Sequence, residues 1–284
     1  MGARTLLALP DCMNELKELA PVLAAATSVS GAIYMRERNL RIGAERLAAA
    51  TMETLLNAID ANDAVTGAHV RRVAAYSLCL AEAAGLDERQ KHSIERIALF
   101  HDIGKLDEAL FDIFHETSKL TPEERRAVRK HPEKGAEVIA PISIFYPDLG
   151  KGVMAHHERW DGRGYPKRLK GNRIPLASRV VSIADTFDAI THRRRYSEGR
   201  SFKEATEAIV AGRGTQFDPT LVDLFASPPL QQEFQRIMRE LHKPGRKKKG
   251  RRRGEDSSAP DLTFRWRERS KSQRFSRHAR KKLS

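Results

Sequence analysis

The sequence predicts an all-α protein, a helical bundle that ends in a disordered basic tail. Three observations predict it. Apolar residues recur at helical rather than alternating spacing between Gly and Pro punctuation, with weak strand signals and no internal repeat. Two stretches, Thr121-Pro122-Glu123-Glu124 and Ser201 with Glu204, carry the capping-box pattern that starts a helix. After Leu241 the composition shifts abruptly to Arg, Lys and Ser.

Residues 1–50 are rich in Ala and Leu, and Leu40, Leu47, Leu55 and Ile59 follow the spacing of a long amphipathic helix. Packing of this stripe against the following domain is the expectation. Helical patterns next cover 68–84 and 87–104, and the capping boxes add helices after Thr121 and Ser201. The expected partition is therefore an N-terminal helical segment 1–50, a helical domain 51–242 and a tail 243–284.

Charge supports that partition. The 284 residues carry a net charge of +14, of which residues 243–284 hold +13 and the first 242 residues +1. So polar a tail buries too little apolar area to offset its ordering entropy and is expected to be disordered. Its Lys/Arg clusters fit a nucleic-acid backbone or another anionic surface, with Trp266 and Phe275 available to stack on bases.

Cys12 and Cys79 form no disulfide framework or thiolate metal site, which fits a reducing compartment. The apolar run from Pro21 to Met35 is interrupted by Thr27, Ser28, Ser30 and Gly31, so neither a membrane span nor a signal peptide is expected.

Within the domain, residues of metal-ligand type fall where core residues belong. His101 continues the stripe Ile94, Ile97, Ala98, His69 shares a face with Val73, Leu80 and Ala84, and Asp185 shares one with Val181, Ala184 and Asp188. A lone inward His is usually a core residue bonded to a carbonyl. Buried together, however, Asp102, Asp185, His69, His101, His131, His156 and His157 carry a desolvation cost that divalent cations offset. Five His and two Asp exceed one tetrahedral site and suit two metals sharing a bridging Asp.

In order along the chain stand TGAHVRRV (66–73), HDIGK (101–105), KLTPEE with KHPEKGAEVI (119–139), HHERWDGRGYP (156–166), IADTFDAIT (183–191) and GTQFDP (214–219). Over residues 52–226 this series resembles the HD-GYP family of metal-dependent phosphodiesterases. The resemblance implies an HD-type helical bundle, a bacterial cytoplasmic setting, and hydrolysis of cyclic di-GMP to pGpG and, in many members, on to GMP. It also implies two divalent metals, iron or manganese, on His69, His101, Asp102, His131, His156, His157 and Asp185, with Asp102 bridging. Asp60 stands where members with a third metal carry Glu; being one methylene shorter, it is kept as an additional candidate ligand. Pro132 is expected to hold residue 131 out of helical geometry and so turn the chain near the site.

Lys105 and Asp102 are the candidate catalytic residues, Lys105 as the cation beside the scissile phosphate. Gly164, Tyr165 and Pro166 match the loop that shapes one wall of the pocket. Asp188, Arg194 and Tyr196 match substrate contacts, although Arg195 and Ser197 depart from the family pattern and leave a related cyclic dinucleotide open as substrate. The competing reading is a weakly active domain that serves as a signalling or RNA-binding adaptor. Homodimerisation through the first helix is the remaining partner expectation.

Overall fold

The structure, a computed structural model, describes residues 11–106, 121–192 and 199–241, with side chains from residue 30 onward apart from Asn62 and Ala64. The tail 243–284, Arg194 and Tyr196 lie outside the described residues. Among the described residues the regular elements are helices, without strands.

The chain divides into two compact units, residues 1–53 and 54–284. Helix α1 (Asp11–Asn62) runs unbroken through the division, so no loop marks the boundary expected at residue 50. In the first unit Leu40 and Leu47 are 65 % and 70 % exposed, with Ile33, Tyr34 and Met35 also exposed. The stripe divides, since Ile59, farther along it and within the second unit, is 1 % exposed. Helical period says which residues share a face, but not whether anything covers it.

The second unit is a bundle. Asp63 caps α2 (Ala64–Ala83) by accepting from the Val65 backbone, and Asp87 and Gln90 form a reciprocal capping box at the start of α3 (Glu88–Phe100). The pattern expected to continue to residue 104 breaks at His101, and a 3-10 turn (Ile103–Leu106) follows. Thr121 caps α4 (Pro122–Val128) with both arms of its box in place.

Helix α5 (His131–Val138) begins at His131 with Pro132 as its second residue, which corrects the expectation for position 131. A proline in the first turn removes no intrahelical donor and is tolerated there. Helices α6 (Pro147–Ala155), α7 (Leu176–Thr191), α8 (Phe202–Ala211), α9 (Pro219–Phe225) and α10 (Pro228–Leu241) complete the bundle. Ser201 caps α8 with its box formed.

Helix α2 packs on α3, α7 and α10, and α7 packs on α8. Behind the site, Phe187 meets Tyr76, Phe234, Phe225 and Phe202 in edge-to-face contacts with centroids 4.8–6.1 Å apart. This aromatic block fixes α7 against α2, so the residues flanking Phe187 are held rigidly. Asp185 and Asp188 are those residues.

Candidate metal centre

The inward stripes are real. Ile94, Ile97, Ala98 and His101 are at most 1 % exposed, as is Val73 below His69, and Asp102 is 5 % exposed. The Asp185 side chain is less enclosed than expected, at 20 % exposure.

The ligand-type residues converge from five segments into two groups. His69, His101 and Asp185 form one, and Asp102, His131, His156 and His157 the other, each with one ligand atom per residue lying within 4.8 Å of its fellows. Asp102 joins them. Its Oδ1 lies 3.4 Å from His131 Nε2 and 3.9 Å from His156 Nε2, while Oδ2 lies 3.5 Å from His101 Nε2 and 3.7 Å from His69 Nε2.

The imidazoles are oriented from behind. His101, His131 and His156 each direct Nδ1 at the carbonyl three residues earlier, on Ala98, Val128 and Val153, at 2.6–2.8 Å. A carbonyl only accepts, so Nδ1 carries the proton and each Nε2 presents a lone pair to the cavity. His131 Nε2 and His156 Nε2 then face one another at 3.1 Å. Two lone pairs that close repel unless a cation lies between or beside them. His101 Nε2 and Asp102 Oδ1 are buried without a hydrogen-bond partner, again what metal ligands require. The residues present fit a pair of divalent metals.

Electrostatics agree. Burial pushes His131 down to about 3 and His157 down to about 4, and holds His156 well below its usual range, so these rings are neutral at pH 7. Burial would lower His69 too, but hydrogen bonding to Asp185 and Asp188 and their negative charges outweigh it and raise its pKa to about 9. Burial likewise opposes ionisation of Asp102, yet Lys105 and the surrounding imidazoles hold its carboxyl well below the usual carboxylate range. Lys105 Nζ donates to Asp102 Oδ2 at 2.6 Å, which sets a cation beside the ligand cluster. Close approach explains the intervening glycine. A Cβ on Gly104 would lie 2.1 Å from the His131 carbonyl oxygen, so only glycine lets the 3-10 turn reach α5.

Several expected residues take other positions. Asp60 is gripped by Arg71 through both carboxylate oxygens and belongs to neither group. Asp188, expected at the substrate, is 1 % exposed. Its Oδ2 accepts from His69 Nδ1 at 2.7 Å, and Arg72 donates to both its oxygens at 2.7 and 2.9 Å. It stands behind His69, a residue of the first group. His192 lies 3.3 Å from its other oxygen.

Of Gly164, Tyr165 and Pro166, expected to line the pocket, Tyr165 lies against a residue of the second group. The Tyr165 ring stacks on His157 with centroids 4.9 Å apart and planes 26° apart. The loop is tied down by Glu158, which sequence reasoning missed because a charged residue in a Gly-rich loop usually reads as solvated. Only 3 % exposed, it accepts from the backbones of Lys167 at 2.7 Å and Leu169 at 2.9 Å. The GTQFDP segment buttresses the same loop: the Trp160 and Asp161 amides donate to the Gln216 and Thr215 carbonyls.

Comparison with known families places the HD domain on residues 53–221, more than half of the chain. The chain belongs to the HD domain family. The resemblance read from the motifs is borne out. This HD domain is 35 % identical over 213 residues to the 3'3'-cGAMP-specific phosphodiesterase 2 of Vibrio cholerae serotype O1, covering 74 % of the chain and 40 % of that relative. It is 37 % identical over 175 residues to the cyclic di-GMP phosphodiesterase response regulator RpfG of Xanthomonas campestris pv. campestris, covering 61 % and 46 %. The chain thus spans less than half the length of these curated relatives. Among solved structures, a cyclic GMP-AMP specific phosphodiesterase of V. cholerae (V-cGAP3) aligns with a TM-score of 0.49 at 22 % identity, over 66 % of this chain and 52 % of that one. Among the described residues, no helix is long and apolar enough to cross a membrane.

Proposed function

We propose that this HD domain is a metal-dependent phosphodiesterase that hydrolyses a cyclic dinucleotide, with cyclic di-GMP as the first candidate and pGpG, then GMP, as products. One observation carries the reading: the Asp102 carboxylate turns one oxygen to each of two imidazole groups whose Nε2 lone pairs converge. That is the arrangement two metals need to share a bridging ligand.

His69, His101, Asp185 and Asp102 Oδ2 would hold one ion and His131, His156, His157 and Asp102 Oδ1 the other, with iron or manganese as the resemblance implies. Bound there, the metals supply a water activated at neutral pH and positive charge for the phosphate oxygens. Lys105 adds a donor where charge accumulates on the reacting phosphate. The neutral imidazoles stay deprotonated ligands well below pH 7. Tyr165 stacks on His157 and steadies its ring.

The named substrates of the relatives divide between 3'3'-cGAMP and cyclic di-GMP, so the reading extends to cyclic dinucleotides as a class. Arg194 and Tyr196 are kept as candidate base or phosphate contacts. The basic tail is assigned to a polyanion, nucleic acid or an anionic surface. Chromatography of products after manganese- or iron-loaded protein meets cyclic di-GMP and 3'3'-cGAMP tests the reading, with Asp102→Ala as control. Turnover in wild type that disappears in the variant is expected. No turnover of either in protein that holds two metals would instead favour the adaptor reading, which deletion of 243–284 then tests through RNA binding.

A further inference from the structure

The cavity deals with one phosphate, whereas a cyclic dinucleotide carries two. The metal ligands and Lys105 surround a single reacting centre, and Lys105 is already drawn to Asp102. A second anionic phosphodiester must therefore meet protein at the cavity wall, since leaving it unpaired against Asp102 and Asp185 costs binding energy.

Among the described residues, Arg129 is a cation at the wall in a prepared position. Arg129 follows α4, two residues before the ligand His131, and its guanidinium carbon lies 5.4 Å from the centroid of the Tyr165 ring. Tyr165 in turn stacks on His157. Its hydroxyl feels the charges of Asp102, Arg129 and Asp185, so ring, guanidinium and ligand carboxylates share one electrostatic neighbourhood. Arg129 is exposed, and among the described residues its guanidinium meets no carboxylate. Arg159, also beside the loop, is by contrast committed to Asp161 at 2.8 Å.

We propose that Arg129 is a substrate-binding residue that takes the second, non-reacting phosphate of the cyclic dinucleotide, held ready by its stacking on Tyr165. The inference rests on the phosphodiesterase reading above. A guanidinium matches phosphate oxygens with a two-pronged hydrogen bond, and the aromatic face beneath it limits the rotamer freedom lost on binding. The residue acts on recognition. Charge at the reacting phosphate is left to Lys105.

Arg129→Ala and Arg129→Lys in the metal-loaded full chain test this, assayed on the cyclic dinucleotide and on bis(p-nitrophenyl) phosphate, which has one phosphate. Losing a charge-assisted contact raises KM for the cyclic dinucleotide about 10- to 100-fold, with most of the effect in KM rather than kcat. The kcat/KM ratio between the two substrates falls correspondingly, and Arg129→Lys lies between. Unchanged KM for the cyclic dinucleotide overturns the assignment. Equal losses on both substrates also overturn it, because they would show that Arg129 only steadies Tyr165 and His157. Wild-type protein that cleaves the one-phosphate ester but no cyclic dinucleotide refutes the underlying reading as well, a result distinct from the other two.

Discussion

Asp188 shows how one buried carboxylate organises the ligands in front of it. It fixes the His69 ring and is compensated by Arg72, so the stack Arg72, Asp188, His69 ends at the ligand cluster. Partners behind a ligating histidine typically control metal affinity by about 10- to 100-fold. Asp188→Asn, which keeps the volume but weakens acceptance from Nδ1, is expected to lose affinity in that range in a competition titration against a chelator, with the helical circular dichroism spectrum retained. His69 adds a pH dependence. Its pKa, about 9 against 6.5 for an unperturbed ring, means that protein stripped of metal carries a proton there at pH 7. That proton favours the folded state fully below pH 6.5, and the benefit fades as pH rises through about 9. A metal must displace it, so calorimetric titrations in buffers of different ionisation enthalpy are expected to report about one proton released at pH 7. Release of none would exclude His69 as a ligand. Of the seven ligand-type residues, helical period put His69, His101 and Asp185 on inward faces, whereas Asp102, His131, His156 and His157 were legible only through the motifs that carry them. What that period cannot show is the tautomer. It follows from carbonyls at helix ends, on Ala98, Val128 and Val153, whose position depends on where each helix stops.

At the scale of elements, capping chemistry was the most readable feature. Thr121 with Glu124 and Ser201 with Glu204 start helices at the residues their patterns indicate. The long α1 was readable as a helix, but its period did not show which part of the stripe is covered: Leu40 and Leu47 are open and Ile59 is buried. The loop after His157 was readable only in its turn residues. Its anchor, Glu158, needs the folded backbone to bring the Lys167 and Leu169 amides together. Glu158→Ala removes a buried acceptor of two amides and is expected to cost about 1–3 kcal/mol. The measurement is denaturant unfolding alongside proteolysis of the 158–170 loop, and wild-type values in both would show that the anchor is dispensable.

Across the whole molecule, nearly all of the net positive charge belongs to the tail, and the helical domain is close to neutral. Any long-range attraction for polyanions therefore resides outside the catalytic architecture proposed here, and fades steeply with salt. Composition alone made that separation visible. The ligand-type residues, by contrast, are scattered: His69 and its partner Asp188 are 119 residues apart, with the rest of the cluster on segments between them. No short piece of the chain holds the set. An ion that binds only the assembled arrangement acts as a clasp on the whole bundle, adding about 2.7 kcal/mol of stability at a hundredfold excess over its dissociation constant. Loss of the metal would then loosen the fold in the same stroke as it removes the chemistry.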